Sequence, residues 1–313
     1  MHPYSSVDKG IFVAIREPAF YTAFGMKAEA EPLSPGLHIV ATPIGNLKDV
    51  SFRALGTLAA ADAVFAEDTR VSRKLLAHYG ITTPLIAYHE HNAAEMRPKI
   101  IARLKEGQAL ALISDAGTPL VSDPGYKLVE AVLADGLPVV PVPGPSAVLA
   151  ALVAAGLPTD RFFFEGFLPT KSSARRERLA ALSSIPATLV FFESPHRLVD
   201  MLRDAHEILG DRTAAVAREL TKLYETVRRG SLENLTNEFA AASRPKGEIV
   251  VLIGAAVPSE SGDNAAGELD DRLRLHLTHL SVKDAVAVAV EETGRPRRQV
   301  YARAVALAKG EVD

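Results

Sequence analysis

The chain has no cysteine among its 313 residues. Disulfide frameworks, thiolate metal sites and cysteine nucleophiles are therefore excluded. The absence fits a protein of the reducing cytoplasm, although some exported proteins also lack cysteine. We predict a cytoplasmic location on this basis.

A strong excess of one charge is also missing. The formal net charge is −3 at pH 7, with 48% hydrophobic and 23% charged residues, which are ordinary values for a globular protein. Because the chain as a whole is not a polycation, any contact with nucleic acid must come from local basic patches. The phosphate-binding pattern Gly-x-x-x-x-Gly-Lys is absent too, so no nucleoside triphosphate site of that type is expected.

The sequence lacks a typical membrane span and an export signal. Residues 137–158 carry no charge, but five prolines interrupt them, and a buried strand, a loop and a buried helix are predicted there instead. Residues 1–36 show neither periodicity nor the basic-then-apolar order of a signal peptide. We predict a disordered extension over 1–36, with Met26 as a plausible alternative start.

Short apolar segments alternate with helical patterns over residues 37–156. The clearest is Ala-Leu-Ala-Leu-Ile-Ser at 109–114, followed by a Gly-, Pro- and Asp-rich segment at 115–125 and a helical stretch. Five such repeats predict an α/β domain with a parallel sheet. The loops that follow the strands should line one edge, where open α/β sheets bind ligands.

The rest of the chain is predicted to form two further parts. Residues 157–254 form a second, mixed α+β domain, because the strand candidates at 213–217 and 224–228 have no helix between them. Residues 255–267 are polar and small, as in a linker. Residues 268–313 form a small helical domain resembling a helix-turn-helix, and a helical hairpin that packs on a partner is an equal alternative.

Six short motifs occur in one order along the chain. They are Thr42-Pro-Ile-Gly-Asn-Leu47, Ala66-Glu-Asp-Thr-Arg70, Ser114-Asp-Ala-Gly-Thr-Pro-Leu120, Ser122-Asp-Pro-Gly125, Pro143-Gly-Pro-Ser-Ala147 and Ala217-Arg-Glu-Leu-Thr-Lys222. Together they resemble the ribosomal RNA small subunit methyltransferase I family of the tetrapyrrole methylase superfamily. The resemblance covers about 37–254 and implies a two-domain tetrapyrrole-methylase-like α/β fold. It further implies that S-adenosylmethionine binds in a cleft between the domains and that the protein is a homodimer. The implied reaction is methylation of the ribose 2′-hydroxyl of a cytidine in the decoding region of 16S rRNA, in the small ribosomal subunit.

The same resemblance implies a set of cofactor contacts. These are Pro43, Gly45, Asp115, Gly117, Thr118, Val121, Ser146 and Ala147. The wider superfamily usually has Gly-Asp-Pro where this chain has Gly117-Thr-Pro119, so the usual acidic contact is lost at Thr118. Asp115 is the candidate substitute.

The acceptor hydroxyl must lose a proton during methyl transfer. Candidate bases or orienting groups are Glu67, Asp68, His91, Glu219 and Lys222. We favour Glu67, Asp68 and Lys222 as catalytic residues, and a helix cap or a salt bridge is the alternative role of the acidic candidates. His89 and His91 lack a clustered third ligand, so no metal site is predicted.

Two basic segments are candidates for RNA contact. Residues 161–178 carry a net charge of 5 − 2 = +3, and residues 283–309 carry 6 − 3 = +3. The predicted RNA-binding residues are Arg70, Lys171, Arg175, Arg176, Arg178 and Arg218. Contacts between such residues and phosphates make binding strongly salt-dependent, whereas the alternative is that these are ordinary solvated helix faces.

Two other functions remain open at this level. One is a superfamily methylase that acts on a tetrapyrrole or a diphthamide precursor. The other is a non-catalytic RNA-binding assembly factor that retains the cleft as a scaffold. A small tetrapyrrole substrate explains neither the basic segments nor the C-terminal helices.

Overall fold

The computed structural model describes residues 18–122, 125–256, 261–293 and 296–308, with only the backbone described over 261–268. It divides into two compact units. Of the described residues, the first unit contains those up to Ser183 together with Ala187–Gly254, and the second contains Ser184–Pro186 and those from Ala255 onward. No helix in these described ranges combines the length and the apolar character that a membrane crossing requires.

The first described elements form a hairpin. Strands β1 (Ala19–Ala23) and β2 (Met26–Ala30) pair antiparallel. The Thr22 amide donates to the Tyr79 carbonyl oxygen at 2.7 Å, and the Tyr21 side chain packs against the core of the first domain. The prediction of a disordered extension over 1–36 is therefore wrong for this part, because contacts with distant residues hold the strands in place. Residues 1–17 lie outside the described ranges.

The first domain alternates strands and helices as predicted. Its elements are β3 (Gly36–Val40), α1 (Phe52–Ala60), β4 (Ala63–Ala66), α2 (Thr69–His78), β5 (Leu85–Ala87), α3 (Ala93–Lys105), β6 (Ala109–Ile113), α4 (Tyr126–Ala134), β7 (Val139–Val142) and α5 (Ala147–Ala155). The five strands pair in parallel in the order β5-β4-β6-β3-β7. All five residues of the central strand β6 are buried, as expected for a strand covered on both faces. The predicted parallel sheet is confirmed.

The second domain has a mixed sheet. Its elements are β8 (Phe162–Phe167), α6 (Ser172–Leu182), β9 (Thr188–Glu193), α7 (Leu198–Leu209), β10 (Thr213–Arg218), β11 (Thr226–Ser231), α8 (Leu232–Ala241) and β12 (Ile249–Ile253). The strand order is β11-β10-β12-β9-β8, with β8 and β9 parallel and the other neighbours antiparallel. The predicted α+β character is confirmed.

Helix α5 joins the two domains. Its residues Val148, Ala151 and Leu152 share one hydrophobic core with Val190 and Leu252 of the second sheet. Burying one apolar face of a helix against a sheet is the ordinary way in which such layers hold together. The helix follows β7 directly, so it also brings the carboxyl edge of the first sheet next to the second sheet.

The C-terminal unit consists of three helices in the described ranges: α9 (Ser261–Leu277), α10 (Val282–Thr293) and α11 (Arg297–Ala308). Their small core includes Leu273, Val286 and Val300. The predicted helical domain is present, but α9 begins inside the segment predicted as a linker over 255–267. The side chain of Ser281 accepts from the Asp284 amide at 3.3 Å, which caps the start of α10.

Candidate functional site

The loops that follow β3, β4, β6 and β7 meet at the carboxyl edge of the first sheet. Thr42 and Gly117 exchange two backbone hydrogen bonds of 2.8 and 3.0 Å. The Thr118 hydroxyl donates to the Pro145 carbonyl oxygen at 3.3 Å, and Asp115 Oδ1 accepts from the Asp68 amide at 3.0 Å. These bonds confirm the expectation that the loops line one edge.

The loop after β6 has an unusual backbone conformation. Gly117 has a φ of +75°, and a Cβ atom there would lie 3.3 Å from Ile44. Leu120 and Ser122 adopt positive φ angles of 76° and 63° although they carry side chains. Such strain persists only where the surrounding structure imposes it, and it clusters at ligand sites.

A cavity of about 400 Å³ lies between this edge and the second sheet, within the size range of small-molecule sites. Five predicted cofactor contacts line it: Gly117, Thr118, Val121, Ser146 and Ala147. The opposite wall comes from the second domain. It includes Phe192, Glu193, Ser194, Pro195, Gly247, Glu248, Ile249 and Val250. We refer to this space as the larger cavity.

Glu193 is a site residue that the sequence analysis missed. It ends β9, is only 3% exposed and lines the larger cavity. Its Oε1 accepts from the Ser194 amide at 2.7 Å and lies 3.3 Å from Arg197 Nε, whereas its Oε2 is buried without a hydrogen-bond partner among the described residues. Burial raises the pKa of the carboxyl. The sequence signal that could have identified it is the tripeptide Glu193-Ser-Pro195 at the end of an apolar strand.

A second cavity of about 240 Å³ adjoins the first, and we call it the smaller cavity. Three further predicted cofactor contacts line it rather than the larger one: Pro43, Gly45 and Asp115. Helix α2 and the loop after β10 complete its wall, through Ser72, Lys74 and Lys222 among others. Ile44, Ala116 and Glu248 line both cavities. The predicted cofactor residues are therefore divided between two adjoining spaces.

Lys222 is placed at the smaller cavity by the loop after β10. Its ammonium lies 2.8 Å from Glu219 Oε1 and 3.1 Å from Glu248 Oε2. Partial burial lowers its pKa, but the hydrogen bonds to these two carboxylates outweigh it and raise the pKa overall. Gly45 leaves the space for this side chain, because a Cβ there would overlap it. Lys222 is thus a protonated donor, which fits an orienting group and not a base.

Asp68 has a structural role at the start of α2. Its carboxylate accepts from the Arg70 amide at 2.8 Å and pairs with the Arg70 guanidinium at 2.7 Å. The hydrogen bond from the Arg70 side chain is the main cause that lowers the pKa of Asp68 to about 2. So weak a base is unsuited to removing a proton at neutral pH, and this argues against the predicted catalytic role of Asp68. Glu67 is half-buried next to it.

The predicted basic surface on α6 is largely neutralised. Arg175 is only 4% exposed, and its guanidinium lies 2.6 Å from Asp204 of α7. Arg176 pairs with Asp204 and Glu207, and Arg178 forms two hydrogen bonds of 2.6 and 2.7 Å with Glu165. The prediction that Arg175 contacts RNA is wrong, because a guanidinium buried in an ion pair cannot reach a phosphate. Lys171, at the start of α6, is exposed.

The other predicted RNA contacts differ in their surroundings. Arg218 donates to the Thr226 hydroxyl and to the backbone carbonyls of Lys246 and Tyr224, at 3.1 to 3.3 Å. Arg218 therefore connects the segment after β10 with the segment before β12, whose residues Gly247 and Glu248 line the larger cavity. Arg70 has 88% of its side chain exposed although it pairs with Asp68. In the C-terminal segment Arg303 pairs with Asp270, and Arg297 and Arg298 are exposed.

No cluster of three or more His, Cys, Asp or Glu side chains with the geometry of a metal site occurs among the described residues. The rings of His89 and His91 lie 5.9 Å apart. His89 is half-buried and His91 is exposed.

Comparisons with known proteins agree with this architecture. The family model of Tetrapyrrole (Corrin/Porphyrin) Methylases matches residues 36–236, and the model of the RsmI C-terminal HTH domain matches residues 263–308. Among solved structures, diphthine synthase is similar with a TM-score of 0.56 and 19% identity, covering 70% of this chain and 89% of that one. A cobalt precorrin-4 methyltransferase has a TM-score of 0.54 and 20% identity, covering 70% and 94%. At this identity the likeness shows the fold alone.

Curated relatives are much more similar in sequence. The ribosomal RNA small subunit methyltransferase I of Mesorhizobium japonicum is 53% identical over 89% of this chain and 94% of that protein. The protein of the same name from Xylella fastidiosa is 49% identical over 86% of this chain and 98% of its own length. With the fold, the cavities and the six ordered motifs, these findings show that the chain belongs to the tetrapyrrole methylases and, among them, to the family of ribosomal RNA small subunit methyltransferase I.

Proposed function

We propose that this protein is an S-adenosylmethionine-dependent methyltransferase that acts in the cytoplasm and methylates the ribose 2′-hydroxyl of a cytidine in the decoding region of 16S rRNA. The observation that carries the proposal is the larger cavity between the strained loop after β6 and the second sheet, in a chain of this family. The names of the relatives support small-subunit ribosomal RNA as the substrate class.

The residues of the larger cavity fit the proposed cofactor. S-adenosylmethionine, when bound, supplies an electrophilic methyl group on a sulfonium, and it also carries an ammonium, a carboxylate, a ribose and an adenine. Glu193 Oε2 is a buried acceptor without a partner among the described residues, and leaving such an oxygen unpaired costs free energy. A donor N–H or O–H of the cofactor would satisfy it. Gly117, Thr118, Ser146 and Ala147 on the wall formed by the first sheet would hold the remaining parts.

The remaining catalytic proposal concerns the acceptor hydroxyl. Lys222 is protonated and is held between Glu219 and Glu248 at the smaller cavity. It would orient the ribose oxygen or stabilise negative charge that develops on it. Glu67 remains the candidate acidic group at the end of β4, whereas the hydrogen bond from Arg70 lowers the pKa of Asp68 and makes it the weaker base. Holding two reacting groups at neighbouring sites supplies much of the rate in such displacement reactions.

The proposal is tested with radiolabelled S-adenosylmethionine and three acceptors. Small ribosomal subunits from cells without this protein, free 16S rRNA and uroporphyrinogen are each incubated with the full chain. We expect label in the RNA of at least one of the first two acceptors and none in uroporphyrinogen. Ribose-methylation mapping then identifies the nucleotide. Label only in uroporphyrinogen, or no binding of S-adenosylmethionine in calorimetry, would refute the proposal.

A further inference from the structure

We infer that the smaller cavity binds the acceptor nucleoside of the RNA, and that the Ser72 hydroxyl forms a hydrogen bond with its base. The inference rests on the proposed function and adds to it a specific pocket and a specific residue. It starts from the fact that two adjoining cavities lie at the carboxyl edge of the first sheet.

The two cavities are close enough to hold two reactants. Ile44, Ala116 and Glu248 line both of them, so a group in one space lies directly beside a group in the other. The larger cavity, at about 400 Å³, contains the buried acceptor Glu193 Oε2 and five of the eight predicted cofactor contacts. The adjoining space of about 240 Å³ is therefore the position from which an acceptor would reach the methyl group.

Ser72 provides the second and independent observation. It lies on α2, is 3% exposed and lines the smaller cavity. Its Oγ is buried and has no hydrogen-bond partner among the described residues. A serine in a helix often donates to the carbonyl four residues earlier, but this hydroxyl makes no such bond. It can both donate and accept, and the edge of a pyrimidine base offers both kinds of group.

The remaining walls suit a nucleotide. Leu47, Val71 and Leu75 provide apolar surface against which the flat faces of a base can pack. Lys74 is exposed and lines the same cavity, and a cation of this kind pairs with RNA phosphates. Enzymes that act on a base turn it out of its stack into such a pocket, and a nucleotide bound here in the same way would place its ribose beside the larger cavity.

The competing interpretation is that the cofactor itself extends into the smaller cavity and uses Ser72. Comparing Ser72→Ala with Ser72→Thr in the full-length protein separates the two, since threonine keeps the hydroxyl. Ser243→Ala serves as a matched control, because Ser243 is exposed and lines neither cavity. The measurements are calorimetric affinity for S-adenosylhomocysteine, affinity for unmethylated small ribosomal subunits in its presence, methyl-transfer kinetics and the thermal midpoint.

We expect Ser72→Ala to weaken binding of the ribosomal subunit and to lower kcat/KM by roughly 3- to 10-fold, the loss typical of one neutral hydrogen bond. The affinity for S-adenosylhomocysteine should not change. The thermal midpoint should stay equal or rise, because the variant removes an unpaired buried hydroxyl. Ser72→Thr should retain most of the wild-type affinity for the subunit, and Ser243→Ala should behave as wild type.

Two results would overturn this inference and leave the proposed function intact. One is a parallel loss of S-adenosylhomocysteine affinity in Ser72→Ala, which would assign the smaller cavity to the cofactor. The other is an active wild-type protein whose Ser72→Ala variant binds and methylates subunits normally. A wild-type protein that neither binds nor methylates RNA would instead refute the proposed function, and the inference with it.

Discussion

Two groups of buried polar side chains illustrate different roles in this protein. Arg175 and Asp204 are buried but satisfy each other at 2.6 Å. Glu193 Oε2 and Ser72 Oγ are buried without a partner among the described residues, and both line a cavity. Because an unpaired buried polar atom lowers stability, the second group is better explained by a ligand than by folding. Burial without a partner therefore points to function where the atom also lines a cavity, whereas other such atoms, for example Arg212 Nη1, line neither cavity.

The first prediction concerns Glu193→Gln. The substitution keeps the shape but removes the charged acceptor, and hydrogen bonds to charged groups contribute about 1.5–3 kcal/mol. We expect the affinity for S-adenosylmethionine to fall about 10- to 100-fold, measured by calorimetry. Ser243→Ala is again the control. Unchanged affinity would remove Glu193 from the cofactor site.

The same variant has a predictable effect on stability. Because burial raises the pKa of Glu193 above its ordinary value of 4.5, the folded state binds this proton more tightly than the unfolded chain does. The ionised carboxylate therefore lowers stability above the raised pKa, and this loss disappears below 4.5. Glu193→Gln should raise the thermal midpoint at neutral pH and have little effect near pH 4. An equal shift at both pH values would contradict this explanation.

At the scale of elements, α6 and α7 show why a basic helix need not be a basic surface. The segment 161–178 has a net charge of +3 in isolation. Asp204 and Glu207 on α7 pair with its arginines, so the local sum becomes +3 − 2 = +1. Lys171 at the start of α6 and Arg161 just before β8 are both exposed, so these two cations of the segment remain available for a phosphate.

The second prediction compares Arg175→Ala, Arg178→Ala and Lys171→Ala. Removing Arg175 leaves Asp204 buried without its main cation, which should cost about 3–5 kcal/mol of unfolding free energy. Arg178→Ala removes a cation that is 43% exposed from its pair with the less exposed Glu165, and it should cost less than Arg175→Ala, about 1 kcal/mol. Lys171→Ala should leave the free energy of unfolding unchanged. It should make the slope of log RNA affinity against log salt concentration shallower, by about the amount that one phosphate contact contributes. Denaturant unfolding and RNA titrations at several salt concentrations measure these effects. Equal unfolding free energies of all three variants would contradict the assignment of Arg175 to a stabilising buried ion pair.

At the scale of the whole molecule, the candidate site and the C-terminal helices belong to different structural units. Both cavities lie in the unit that contains the two sheets. The three C-terminal helices have a core of their own and expose Arg297 and Arg298. We propose that this unit contributes to RNA binding and not to cofactor binding.

The third prediction follows for a chain truncated after Gly254. We expect its affinity for S-adenosylmethionine to stay within about twofold of the full chain, since every residue of the larger cavity is retained. Its affinity for small ribosomal subunits should fall at least 10-fold, because several cations are removed. Calorimetry and subunit titrations measure the two values. Normal subunit binding by the truncated chain would exclude this role of the C-terminal helices.

The sequence by itself determined the parallel sheet and the edge at which the two cavities lie. Strands that alternate with helices along the chain can be arranged in few ways, mainly as a parallel sheet with right-handed crossovers. Parallel strands then place all the loops that follow them at one edge of the sheet. The position of Gly117, Thr118 and Ser146 at one shared edge therefore follows from the order of strands, loops and helices alone. The order of the six motifs likewise identified the family that the comparisons confirmed.

Only the tertiary structure decided which polar groups are available for function. The β1–β2 hairpin depends on a bond to Tyr79, the basic face of α6 is neutralised by α7, and Glu193 and Ser72 gain significance because they are buried without partners among the described residues. The physical reason is the same in each case. Pairing, burial and pKa depend on residues that are distant in sequence and become neighbours only in the folded chain.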